Sequence, residues 1–208
     1  MKKLSARVLA GTAILASAGL LVGIAPSDAA VTTRAAVSAH TKPALNPASL
    51  SYTYKCWGHP DNCNVSVYAP KGWKFTQLSV AHAKFTDSSN TWMLRVDGSL
   101  GGKVSTNTAA QQRVKALHST PGLKIVSRAH GTVKSEVPWS TPPVAYTSLT
   151  YTYRDGARGQ RWVSTRFVDT YTQGKHAYIE ITVAGRPQDQ AGLNRVLAKA
   201  TQWVALVG

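Results

Sequence analysis

From residue 51 onward, apolar and polar positions alternate in short runs rich in β-branched and aromatic side chains, separated by Gly, Asp and Asn. That is the pattern of half-buried antiparallel strands. Residues 51–55 and 64–69 read as a hairpin, followed by a turn at Pro70-Lys71-Gly72-Trp73. Strands are expected at 83–87 and 92–97, joined by Ser88-Ser89-Asn90. Between 106 and 118 the period changes, and Ala110, Val114 and Leu117 recur at helical spacing until Pro121-Gly122 closes the segment. Strands resume at 123–128 and 131–134, before an irregular crossing marked by Pro138, Trp139, Pro142 and Pro143.

Three longer strands form a meander. Leu149, Tyr151 and Tyr153 share one face of 144–154, Val163, Thr165 and Phe167 one face of 161–171, and Ala177, Ile179, Ile181 and Val183 one face of 176–183. Asp155-Gly156 with Arg158-Gly159, and Gln173-Gly174, supply the turns. Pro187 opens a last helix with the apolar stripe Leu193, Val196, Leu197, Ala200 and Val204, leaving Arg195, Lys199 and Gln202 outside. The expected fold is α+β, an antiparallel sheet of about six to eight strands with amphipathic helices packed on it.

The N-terminus changes the compartment. Lys2, Lys3 and Arg7 precede an apolar run from 8 to 24, then small residues at Ser27, Ala29 and Ala30, the three parts of a secretory signal peptide. Cleavage is expected after Ala29 or Ala30. A retained anchor is the weaker alternative, because Gly11, Thr12, Ser17, Gly19 and Gly23 interrupt the run and no stop-transfer flank follows. No cysteine stands near the cleavage point to carry a lipid. The reading is therefore a signal peptide at 1–30, a flexible segment at 31–50 rich in Ala, Thr, Pro and Ser, and one domain at 51–208. The mature protein is expected to be secreted and extracellular, with no membrane anchor.

Removing Lys2, Lys3 and Arg7 from 24 cations leaves 21, and removing Asp28 from nine acids leaves eight, a mature net charge of +13. Such an excess draws acidic partners or serves solubility alone. Cys56 and Cys63 flank Trp57-Gly58-His59-Pro60-Asp61-Asn62 and read as one local disulfide in an exported chain. A metal site using the two thiols and His59 lacks a second ligand pair.

Catalysis needs a nucleophile with a base, a carboxylate pair or a metal cluster. Asp61, Asp87, Asp155 and Asp189 sit at turns or caps, while Asp97, Asp169 and Glu180 lie on strands, where Arg95 and Arg166 are the simplest partners. His40, His59, His82, His118, His130 and His176 show no metal-ligand spacing. No nucleophile elbow or phosphate-cradling loop appears, and Gly98 to Gly102 reads as a strand-to-helix loop. No catalytic residue, metal or cofactor is assigned. Trp57, Trp73 and Trp139 either cap the core or offer a ligand contact, whereas Tyr151, Tyr153, Phe167 and Trp203 follow apolar faces. The best anion-docking set is Arg154, Arg158 and Arg161 at one turn with Arg195 and Lys199 on the last helix. No nucleic-acid motif accompanies it.

Val67-Tyr68-Ala69-Pro70-Lys71-Gly72-Trp73, Leu94-Arg95-Val96-Asp97, Tyr151-Thr152-Tyr153, Arg166-Phe167-Val168, Tyr178 and a late Trp203, in that order, resemble the PsbP-like fold, in particular secreted LpqN-type proteins of actinobacteria. The resemblance implies a noncatalytic binding or accessory module and transfers no active-site residue. The chain departs from lipoprotein members in lacking the anchoring Cys and in adding the Cys56 and Cys63 pair. The resulting expectation is a secreted noncatalytic domain of the bacterial cell envelope, bound to an unknown protein or small ligand. The alternatives are a small extracellular hydrolase using Asp97, Asp169 or Glu180 beside a His, and an electrostatic binder of anionic envelope polymers.

Overall fold

The computed structural model describes residues 42–60, 62–138 and 143–207. The signal-peptide reading, Asp61 and Trp139 lie outside these residues.

The alternating runs become β1 (Tyr52–Trp57), β2 (Val65–Pro70), β3 (Lys74–Gln77), β4 (His82–Thr86) and β5 (Met93–Asp97). The helical run becomes α1 (Thr106–Ala116), whose N-cap Ser105 accepts a hydrogen bond from the Thr108 amide at 3.1 Å. Then follow β6 (Lys124–Val133), β7 (Val144–Asp155), β8 (Gly159–Asp169), β9 (Ile179–Gly185), α2 (Gln190–Trp203) and the short β10 (Ala205–Leu206). The strands form two antiparallel sheets in an α+β architecture. One has the order β1, β2, β10; the other has seven strands in the order β3, β4, β5, β9, β8, β7, β6.

One face of the large sheet is closed. Its Leu94, Val96, Ile179, Ile181 and Val183 meet Leu193, Val196, Leu197 and Ala200 of α2 and Val65, Val67 and Ala69 of β2, all buried. Each such side chain contributes roughly 1.5–3 kcal/mol by leaving water. Trp57 joins this core, 4% exposed and packed on Phe75 and Phe85, and Trp73 stacks on Trp92. On the other face α1 lays Ala109 and Ala110 over Leu149, Tyr151, Val163 and Phe167 of β7 and β8. Ala177 belongs to this second cluster, whereas Ile179, Ile181 and Val183 belong to the first, so the expected common face begins only at β9.

Three further differences have local causes. β3 carries little apolar pattern of its own and exists by pairing with β4. β6 is one strand of ten residues, because continuous pairing with β7 carries it across Ala129-His130-Gly131 with a bulge between Ile125 and Ser127. The packed unit starts at Lys42 instead of residue 51. Leu45 is buried against Gly192, its amide donates to Asp189 Oδ1 at 3.0 Å, and Arg186 donates to the carbonyls of Lys42 and Pro43 at 2.7 and 2.8 Å.

Cys56 and Cys63 form the expected disulfide, with Cα atoms 5.6 Å apart, across the β1–β2 hairpin. The closed loop is short, worth roughly 2.5 kcal/mol by chain entropy.

Candidate functional site

The strand register lays three rows of side chains across the face that α1 covers. His82, Asp97, Glu180 and Phe167 make one row; Lys84, Arg95, Thr182, Thr165 and Leu149 the next; Thr86, Met93, Ala184, Val163 and Tyr151 the third. The rows are apolar where α1 sits on β7 and β8 and turn polar toward β9, β5 and β4. Beside α1 the surface opens into a cleft of about 510 Å³. Leu100, Val104, Phe167 and Ala177 give it apolar walls, and Lys103, Gln112, Arg113 and Glu180 line it as well. The loop that forms its lip turns at Gly102, where φ is +67° and a Cβ would stand 2.4 Å from the Tyr178 ring, so glycine is required there.

Asp97 and Glu180 are cross-strand neighbours, yet both are engaged. Asp97 Oδ2 lies 2.9 Å from His82 Nε2, and Oδ1 accepts from the Ser99 amide and hydroxyl at 2.9 and 2.5 Å. Glu180, whose side chain is 4% exposed, pairs with Arg113 of α1 and accepts from the Thr182 hydroxyl at 3.1 Å; Thr182 in turn meets Thr165 at 2.9 Å. His82 Nε2 also lies 2.8 Å from an Arg95 terminal nitrogen. The same ring nitrogen can accept from Arg95 or donate to Asp97 but not both, so the tautomer of His82 decides which contact is a hydrogen bond. Burial outweighs the nearby Arg113 and pushes the Tyr151 phenol up to about 12.

The hydroxyl of Ser99 sits on the aspartate instead of on the imidazole. A nucleophile must be bonded to its base, with the carboxylate behind that base, so this order does not activate Ser99. Asp169 stands apart from Asp97 and Glu180. It is fully buried and accepts from the amides of Tyr171, Thr172, Gly174 and His176 at 2.7–3.1 Å, so it is the nucleus of the turn after β8. Burial works to raise its pKa, but the hydrogen bonds from Thr172, Tyr171 and His176 prevail and hold it low. The expected partners are corrected accordingly. Arg95 meets His82 instead of an acid, and Arg166 turns to the opposite face, over the Tyr146 ring at 4.0 Å and 3.0 Å from the Thr201 hydroxyl.

The five anion-docking residues are placed unevenly. Arg154 and Arg195 are exposed. Arg158 pairs with Asp155. Arg161 is 3% exposed and donates to the Thr91 carbonyl at 2.9 Å, its pKa lowered by burial and then by Arg158. Lys199 lies 2.9 Å from Glu136 Oε2 and over the rings of Trp203 and Tyr68. Arg158 and Arg161 are thus near one another, while among the described residues no hydrogen bond or ion pair joins their turn to Arg195 or Lys199. Two features escaped the sequence reading. The Arg113–Glu180 pair has no local signal, whereas the acid-free run from 98 to 135, holding Lys103, Arg113, Lys115, Lys124, Arg128 and Lys134, was there to be counted. The structure completes that asymmetry: Asp87, Glu136, Asp155, Glu180 and Asp189 are ion-paired internally, Asp97 is bonded by Ser99 and contacts His82, and Asp169 is consumed by its turn.

The class defined is an antiparallel α+β sheet domain with an open cleft beside α1, apolar-walled and carrying Lys103, Gln112, Arg113 and Glu180. No family model and no curated protein matches the sequence. Among solved structures the chain is similar in fold to Mog1p, a Ran-binding protein of Saccharomyces cerevisiae, with a TM-score of 0.50 and 10% identity over 76% of this chain and 97% of that one. LpqN of Mycobacterium tuberculosis, involved in cell envelope biogenesis, gives 0.45 and 12% over 76% and 92%. PA94 of Pseudomonas aeruginosa, a protein of unknown function, gives 0.38 and 16% over 74% and 96%. No helix among the described residues is long and apolar enough to cross a membrane.

Proposed function

We propose that this chain is an exported, noncatalytic binding domain of the bacterial cell envelope whose ligand occupies the cleft beside α1. The observation that carries the reading is the cleft's composition: apolar walls from Leu100, Val104, Phe167 and Ala177 next to Lys103, Gln112 and Arg113. A small ligand with an apolar body and an anionic end matches that lining. Glu180 holds Arg113 in place, and Asp97, His82 and Ser99 satisfy one another, which leaves them as scaffolding. Export is supported by the pattern of residues 1–30 and by the disulfide.

An amide-resolved NMR titration with octanoate tests the site. Shifts concentrated at Leu100, Val104 and Ala177, and weakened at least fivefold by Lys103→Glu, are expected; shifts scattered over the surface overturn it. A hydrolase screen tests the absence of catalysis. Turnover that disappears in folded Asp97→Asn or Glu180→Gln protein would replace the binding reading with the hydrolytic one.

A further inference from the structure

The two edges of the large sheet differ. β3 has four residues and β6 has ten. β6 pairs with β7 along one side, and its other side makes no backbone hydrogen bond to any described residue. All of its residues from 124 to 130 are exposed, with Ile125 at 39% and Val126 at 54%. Row after row of unpaired amides and carbonyls is a template for another strand, which proteins ordinarily shorten, cover or break. Here only the bulge between Ile125 and Ser127 and the cations interrupt it.

The charge on this edge has one sign. β6 lies within the acid-free run from 98 to 135 and carries Lys124 and Arg128, with Lys134 directly after it. Arg128 and His130 pair across to Leu149 and Thr147, so their side chains stand on the α1 side of the sheet. There a recess of about 420 Å³, lined by His130, Thr132, Asn107 and Gln173 among others, has room for a side chain of an added strand.

We propose that β6 docks an extended acidic peptide segment of a partner protein as an eighth strand of the large sheet. Main-chain hydrogen bonds supply the affinity, and acidic side chains at alternate positions face Arg128 and His130 to set the register. Charge complementarity excludes a second copy of this chain as the occupant. Whatever the register, an edge-to-edge pair of β6 strands offers no acid to face the cations, and like charges opposite one another repel. This inference goes beyond the cleft and stands without it.

The test uses the exported chain and a nine-residue peptide alternating Glu with Val. Amide hydrogen exchange should show new protection at the outward-facing amides of β6. An otherwise identical peptide, N-methylated on the edge that pairs, should bind at least tenfold more weakly, and so should the unmodified peptide to Arg128→Glu. Since Arg128 is exposed, that variant should keep its circular dichroism spectrum, and Arg128→Gln should lie between. Equal binding of the N-methylated peptide, or polyphosphate displacing the peptide while no β6 amide is protected, would reduce the edge to a charged patch and overturn the proposal. Dimerisation in sedimentation through β6 would overturn it in favour of self-pairing.

Discussion

The two faces of the seven-stranded sheet are built from the same strands and serve opposite ends. On the α2 side, Leu94, Ile179, Ile181 and Val183 are sealed beneath a helix and a second sheet. On the α1 side, an eleven-residue helix covers β7 and β8, and the polar rows of β4, β5 and β9 stay open beside it. The two faces treat charge differently, and the closed one holds Arg166 against the Tyr146 ring and the Thr201 hydroxyl with its Nε unbonded and no carboxylate among the described residues beside it. The closed face removes apolar area from water, whereas the open face pairs every carboxylate it shows, Asp97 with His82 and Glu180 with Arg113. Stability is therefore concentrated on one side and adaptable polar surface on the other.

The comparison breaks most sharply if a closed-face residue proves cheap to remove. Leu193→Ala, at a fully buried position, should cost about 3 kcal/mol in chemical denaturation because the cavity cannot collapse between two sheets. Next in size, replacing Cys56 and Cys63 together by Ser should cost roughly 2.5 kcal/mol, read from the denaturation midpoint with and without reductant.

A smaller effect is set by pH at the strap that closes the α2 side. Burial alone would raise the Asp87 pKa, but hydrogen bonds from Lys42, Ser89 and the Trp92 amide prevail and bring it to about 2. Its folded value lies below the unfolded value of about 3.9, so its contribution is complete above that pH. It is lost as pH falls toward about 2. Stability measured from pH 5 to pH 2 should fall, and Asp87→Asn should be less stable at neutral pH and lose part of that slope. Smallest of all, His82→Gln on the open face should change stability by about 1 kcal/mol, since His82 and Asp97 are 21% and 15% exposed and Gln keeps a side chain that can hydrogen-bond there. A loss as large as that of Leu193→Ala would show that the open face is part of the core after all.

What could be read in advance follows sequence distance. The stripe of α2, the stop of α1 at Pro121-Gly122, the three long strands and the disulfide are each written in contiguous residues. β3 was invisible because its one large apolar residue, Phe75, acquires meaning only beside Phe85 of β4. β6 read as two strands because His130 and Gly131 look like a break until β7 pairs across them. The site suffered most. Asp97 and Glu180 meet because β5 neighbours β9 in the sheet, an adjacency no local pattern encodes. Arg161 read as part of an exposed turn, but it falls just inside β8, where its guanidinium turns inward to Thr91.

The strap at Lys42 to Leu50 also orders events in time. Its anchors, the carboxylate of Asp189 and the guanidinium of Arg186, stand more than 140 positions later in the chain. A polypeptide emerging from its N-terminus holds its own fastening unfinished until almost the last residue is out. Because the contacts of greatest sequence separation are the slowest to close, the strap is a late step in assembly.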